Sequence, residues 1–320
     1  MEILQLEGDM ENPTSKPFLQ IDYQYRSVPV SRLPYLQEDI DSLKRSGRLS
    51  THPVYQDYLK DLSFTLPKDF PDARSLIILA SFTPPMLANF RLDGISHEVI
   101  IPSGYYSTGL KIAEICRQLL TKVTGNPNIR LEKAENVHMK LLAVRSGLGR
   151  YGRNNICFVG EMGSFITLSA FFTSHGFETN DWEEIRYLDQ CQNCQVCRKN
   201  CPTGAIRTDS PVIDVGHCLT LYNEVAGEFP AWIQPNSHNA LIGCMKCQWL
   251  CPANQKALQR IGRFDDVTEE ETREFLSDVP DEAILKSLCE KLHLPHVPGS
   301  KEIQTIFTRN LRVLLKQHAN

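Results

Sequence analysis

The sequence predicts a mixed α/β fold, then a cysteine-rich part, then closing helices, and three observations carry that expectation. Strand-like and helix-like stretches alternate as far as about residue 185. Eight of the eleven cysteines fall between Cys191 and Cys251. Amphipathic helical patterns resume beyond residue 262. The expected parts are therefore residues 1–185, 186–262 and 263–320. A chain of 320 residues is long for one compact domain and admits about two.

The elements follow in order. Residues 1–20, interrupted by Pro13 and Pro17, read as a loose arm. Leu36 to Leu62 reads as helical. Ser75 to Phe82 is a mostly apolar run of strand length, closed by Pro84 and Pro85. Glu98 to Ile101 is a second strand, and Pro102 to Tyr106 a turn into a helix. That helix carries Leu110, Ile112, Ile115, Leu119, Leu120 and Val123 near helical spacing. After Gly125 another helix is expected to run to about Ser146. Ile156 to Val159, the turn at Gly160 to Gly163, and Ser164 to Phe172 read as a β-hairpin. Near the end, Thr268 and Glu271 form the pattern of a capping box opening a helix toward Leu276. A last helix places Ile303, Ile306, Phe307, Leu311, Leu314 and Leu315 on one face, suited to covering the cysteine-rich part or its neighbour.

Composition bounds the function. With 42% hydrophobic residues the chain can bury real cores. A net charge of −4 gives no global basic field of the kind that marks a nucleic-acid binder. The first residues lack the basic and apolar regions of a signal peptide, and no apolar run is long enough to span a bilayer, so no membrane partner is expected. Free thiols and metal-binding cysteines fit a reducing, cytoplasmic location. Cys116, Cys157 and Cys289 sit among apolar residues and read as buried packing residues.

The cysteines carry the strongest signal. Cys191, Cys194, Cys197, Cys201 and Pro202 have the bacterial-ferredoxin spacing C-x2-C-x2-C-x3-C-P. That run gives three thiolates to one [4Fe–4S] cube and sends the fourth to a neighbour. A lone Cys218 follows, then Cys244, Cys247, Cys251 and Pro252. Two cubes need eight thiolates, and eight are present. By the crossing rule one cube takes Cys191, Cys194, Cys197 and Cys251, and the other Cys201, Cys218, Cys244 and Cys247. Paired C-x2-C motifs also hold zinc, but a third cysteine at the same spacing and the two prolines favour clusters. A disulfide framework fits less well without a secretory signal.

The second informative stretch is Gly147, Gly149, Tyr151, Gly152, Arg153, Asn154 and Asn155. Glycines let backbone amides approach a ligand, and an arginine fork can meet a phosphate or carboxylate. A tight turn explains the glycines equally well. The spacing is neither a dinucleotide fingerprint nor a phosphate-binding Walker loop.

Together these segments resemble the epoxyqueuosine reductase family. The resemblance runs from Leu142 to Gly149, through Tyr151 to Asn154 and Gly163 to Phe165, then both cysteine runs, including Ala205 and Pro252. Cobalamin-dependent reductive dehalogenases are more distantly similar. The resemblance implies a cobalamin-binding-type α/β domain before a ferredoxin-like double [4Fe–4S] domain. It also implies electrons passing from an external low-potential donor through both clusters to a cobalamin that reduces a tRNA-borne epoxide or another, small-molecule substrate. It adds Ser164 to the cofactor-binding set. The family's proton-donating aspartate is replaced by Lys133 in an ungapped reading, with Glu132 and Glu135 beside it. These two and Tyr105 are the catalytic candidates, a phenol after a strand being able to donate a proton. Acids in a first helical turn, and Tyr105 and Tyr106 at a helix start, are equally ordinary as capping and packing residues. His138 reads as structural. The competing reading is an electron-transfer or corrinoid-activating protein without substrate chemistry of its own.

Overall fold

The computed structural model describes residues 22–108, 111–178, 180–210, 212–295 and 301–317. The expected arm at 1–20, Leu110 and the side chain of Ile303 lie outside the described residues. Four strands form the central sheet in the order β1 (Tyr23–Pro29), β2 (Ser75–Phe82), β8 (Ile166–Thr173), β5 (Leu131–Lys133). All three pairings are antiparallel, with Ser75 opposite Pro29 on one side and Thr173 on the other.

β2 explains why an apolar run can be continuous. Its Leu76, Ile78 and Ala80 face a core built with α1 (Leu33–Arg45) and α4 (Met139–Arg145). Its Ile77 and Leu79 face the other way, onto Ile115, Cys116, Leu119 and Leu120 of α3 (Ile112–Thr124). Side chains alternate across a strand, so a strand covered on both faces must be apolar throughout. A short α2 (Pro53–Lys60) follows α1. The Arg145 guanidinium meets the Asp39 carboxylate with two bonds of 2.8 and 2.5 Å, tying α4 to α1.

A second core lies around the hairpin β3 (Met86–Leu92) and β4 (Ile95–Ile101). Its two-residue turn, Asp93 and Gly94, has φ of 51° and 76°, the left-handed pair that matches the twist of a hairpin. β9 (Gly262–Arg263) pairs parallel to β3. Phe90 and Ile101 pack with Phe275, Leu288 and Phe307 of α9 (Glu269–Leu276), α10 (Glu282–Lys291) and α11 (Lys301–Gln317). The capping box forms, Thr268 Oγ1 accepting from Glu271 N at 3.2 Å and Glu271 Oε2 from Thr268 N at 2.8 Å. On α11 the buried Asn310 amide donates to the carbonyls of Asn223 and Leu241, which joins this core to the cysteine-rich part.

Two expectations are corrected. The hairpin expected from Ile156 to Phe172 is not formed. β7 (Cys157–Phe158) pairs with β6 (Arg150–Tyr151), while β8 crosses into the central sheet beside β2. Burial of Phe171 and Phe172 on both faces of that sheet outweighs the local turn. The helix expected after Gly125 begins only at Met139, because Leu131 to Lys133 instead add an edge strand to β8. Among the described residues no helix is long and apolar enough to cross a membrane.

Candidate functional site

The cysteines sit at the ends of very short helices, where the chain reverses quickly enough to bring distant sulfurs together. α5 (Val196–Lys199) carries Cys197, α6 (Leu219–Glu224) follows Cys218, and α7 (Lys246–Trp249) carries Cys247. A fourth short helix, α8 (Gln255–Leu258), follows Cys251 and Pro252. Burial, then the charges of Cys251, Cys191 and Cys194, push the Cys197 thiol up to about 11. Cys251 in turn feels Cys191 and Cys194. Burial pushes Cys244 up to about 12, with Cys218 and Cys201 adding to it. Burial likewise raises Cys247, helped by Cys244 and Cys218. These influences follow the pairing expected from the spacing, except that Cys247 also feels Cys197, so the two expected groups adjoin.

Backbone N–H groups of Arg198, Thr220, Lys246 and Ala253 lean on Cys197, Cys218, Cys244 and Cys251 and oppose those shifts. Such bonds stabilise thiolates and are a lever on cluster potential. Among the described residues no three His, Cys, Asp or Glu side chains form a group that could hold a single metal ion.

Arg153 braces the first group. Its Nε donates to the Cys194 carbonyl at 3.0 Å, and a second nitrogen donates to the carbonyls of Cys191 and Gln192. The guanidinium expected to meet a cofactor is therefore engaged by the cysteine loop itself. Ser164 is similarly tied in. Its N–H donates to Asn254 Oδ1 at 2.9 Å and its hydroxyl to Gln248 Oε1 at 2.9 Å.

The second group opens on a cavity of about 440 Å³. Its lining includes Cys201, Cys218, Cys244 and Cys247 together with Tyr105, Lys140, Asn154, Asn155, Ser164 and Ile166. The Tyr105 hydroxyl donates to the Glu224 carboxylate. Burial raises the Glu224 carboxyl above its usual range, and burial first, then Glu224, raises the Tyr105 phenol. Lys140 Nζ donates to the Asn155 carbonyl at 3.2 Å, and burial holds its ammonium below the usual range. The buried side-chain oxygen of Asn154 has no hydrogen-bond partner in the structure. Glu224 and Lys140 escaped sequence reasoning. Each looks like an ordinary charged residue of a helix, and only the fold turns them inward.

The other candidates stand elsewhere. Glu132 pairs with Arg130 at 3.2 Å and Glu135 with Lys133 at 3.2 Å, at and just after the edge strand β5. None of these four lines the cavity. The Tyr106 hydroxyl donates to the Pro84 carbonyl at 2.5 Å and its ring meets Phe264 edge-on, so Tyr106 is a packing residue. Tyr151 is buried on β6.

His138 caps α4, Nδ1 accepting from Leu141 N at 3.2 Å. Burial, then Lys140, lowers it to about 4 from the usual 6.5. The unfolded chain therefore binds the extra proton between those values. This contribution to stability is complete above pH 6.5 and is lost as pH falls toward 4, up to roughly 3 kcal/mol. His138→Asn keeps a cap acceptor without a titrating ring. Urea midpoints of the variant are expected to fall less than the wild type's between pH 7.5 and 5.5.

The glycines of the 147–152 stretch admit the chain's own atoms. Gly147, at φ 72°, ends α4, and its N–H and that of Gly149 return to the Val144 and Ala143 carbonyls. A Cβ on Gly149 would lie 2.5 Å from Cys157 Sγ and 2.9 Å from the Phe158 carbonyl, and one on Gly152 would lie 2.6 Å from the Phe158 ring. Gly149→Ala is expected to cost about 1–3 kcal/mol by overpacking, read as a lower denaturant midpoint.

Thiols drawn together in this way suit a double-cluster iron–sulfur domain. The family described as a 4Fe-4S double cluster binding domain matches residues 190–254. The relatives are the ones that the motifs pointed to. Epoxyqueuosine reductase of Gloeobacter violaceus is 30% identical over 164 residues, 50% of this chain and 49% of that protein. That of Atelocyanobacterium thalassa is 27% identical over 199 residues, covering 60% and 63%. The chain thus spans about half to two thirds of the length of these two relatives. Among solved structures, epoxyqueuosine reductase from Streptococcus thermophilus superposes with a TM-score of 0.62 at 17% identity, over 93% of this chain and 78% of that one. The Bacillus subtilis enzyme gives 0.60 at 18% identity, over 91% and 77%. A further epoxyqueuosine reductase, solved with an epoxyqueuosine-modified tRNA stem loop, gives 0.59 at 19%, over 91% and 76%. This chain shares their fold.

Proposed function

We propose that the protein is an oxidoreductase that carries two [4Fe–4S] clusters and reduces a substrate held in the cavity beside the second. The observation that carries this reading is the position of Cys201, Cys218, Cys244 and Cys247 on the wall of a cavity that also presents Tyr105, Lys140 and Asn154. An external low-potential donor would supply electrons through the clusters. Epoxyqueuosine in tRNA is the first substrate to try, from the names of the relatives.

In this reading the four cysteines of the second group stand half-buried on the cavity wall. Tyr105 and Lys140 stand where a substrate would enter, as a hydroxyl donor and an ammonium donor. The cavity's residues also fit contact with a cobalamin. Ile156 and Ile166 offer apolar surface, and Ser164 and Gln248 offer polar groups beside it. Cobalamin, when bound, would supply strongly reducing cobalt.

The test is anaerobic reconstitution with iron and sulfide, a cobalamin titration followed by absorbance, and assay on an epoxyqueuosine-containing stem loop. Reduction of the epoxide supports the reading. Two intact clusters with no turnover and no cobalamin binding favour the electron-transfer alternative. One observation speaks for that alternative, namely that Glu132, Lys133 and Glu135 pair at the surface and none lines the cavity.

A further inference from the structure

Lys140 is a cation placed in the cavity without a carboxylate. Its ammonium donates to the Asn155 carbonyl, and it lines the same cavity as Cys201, Cys218, Cys244 and Cys247. Cys157 is buried against Gly149 and does not line the cavity. The sulfur group containing Cys218 remains.

We propose that Lys140 is the built-in counter-ion of the cluster held by Cys201, Cys218, Cys244 and Cys247, and that it raises the reduction potential of that cluster. The proposal rests on reading those four cysteines as ligands of one cube. Four thiolates leave the cube net anionic, and one-electron reduction adds a further negative charge. A fixed cation favours the more negative state, and net charge is among the levers that set such potentials. The ammonium lies inside a cavity, where screening by salt and water is weaker than at a surface.

The geometry fixes the cation before any cluster is present. Lys140 is in the first turn of α4, and α4 is held to α1 by the paired bonds of Arg145 and Asp39. Asn155, at φ 59°, adopts the turn whose carbonyl receives the ammonium. An electron arriving from the donor then rests preferentially on the cluster that faces the cavity, where a substrate would need it.

The test is an EPR-monitored redox titration of the full reconstituted chain, with dithionite as reductant. Lys140→Met and Lys140→Gln are expected to shift one of the two midpoints to lower potential and leave the other unmoved, while Lys140→Arg keeps both. Lys140→Gln retains a donor for the Asn155 carbonyl, so its result separates charge from packing should the Met variant take up iron poorly. Unchanged midpoints in a fully loaded Lys140→Gln protein overturn the proposal and leave the two-cluster reading standing. A wild-type protein that shows only one cluster overturns the ligand reading and the proposal with it.

Discussion

Replacing Cys218 by alanine is expected to remove about half of the iron and sulfide and to abolish reductase activity, while one cluster remains. Cys218 stands alone between the two runs and is the residue that spacing constrains least. Its placement with Cys201 and Cys244 rests on the turn that opens α6. Apart from its sulfur group it has little to hold, so its loss should spare the sheet and the C-terminal core. Iron analysis with far-ultraviolet circular dichroism checks both halves of the claim. Full iron content in the variant would exclude Cys218 as a ligand, and loss of all iron would break the division into two groups.

Arg153→Ala carries the next largest effect. A charged donor on three carbonyls of one loop is worth about 1.5–3 kcal/mol per good bond, and less in sum because the bonds share one group. The carbonyls belong to Cys191, Gln192 and Cys194, so the variant should release iron from the first cluster faster under a chelator. Iron release to the chelator bathophenanthroline, followed by absorbance, is expected to gain a fast phase. The second cluster should keep its rate. A single unchanged phase would show that the loop holds its shape without the arginine.

Residues whose spacing alone determines their place were legible in the sequence. The two cysteine runs, the capping box at Thr268 and the two-faced strand at Ser75 to Phe82 each carry a local pattern with few alternatives. The Asp93–Gly94 pair at the tip of the β3–β4 hairpin is a two-residue turn with left-handed backbone at both positions. What did not show was partner choice. β8 could pair with its sequence neighbour or with β2, and only burial on both faces of the sheet decides between them. The glycines were ambiguous for a related reason. A missing Cβ says that something approaches, and here Cys157 and Phe158 do. Lys140 and Glu224 acquire meaning only from helices that point them inward.

The exchange of sulfurs between the two runs has a consequence for how the protein is made. On the proposed pairing, a chain emerging from the ribosome has Cys191, Cys194, Cys197, Cys201 and Cys218 exposed before either site can close. The second site becomes complete at Cys247 and the first only at Cys251, four residues later. Neither cube can be installed on a partial chain and the other added at leisure. On this pairing, truncation before Cys244 costs both sites.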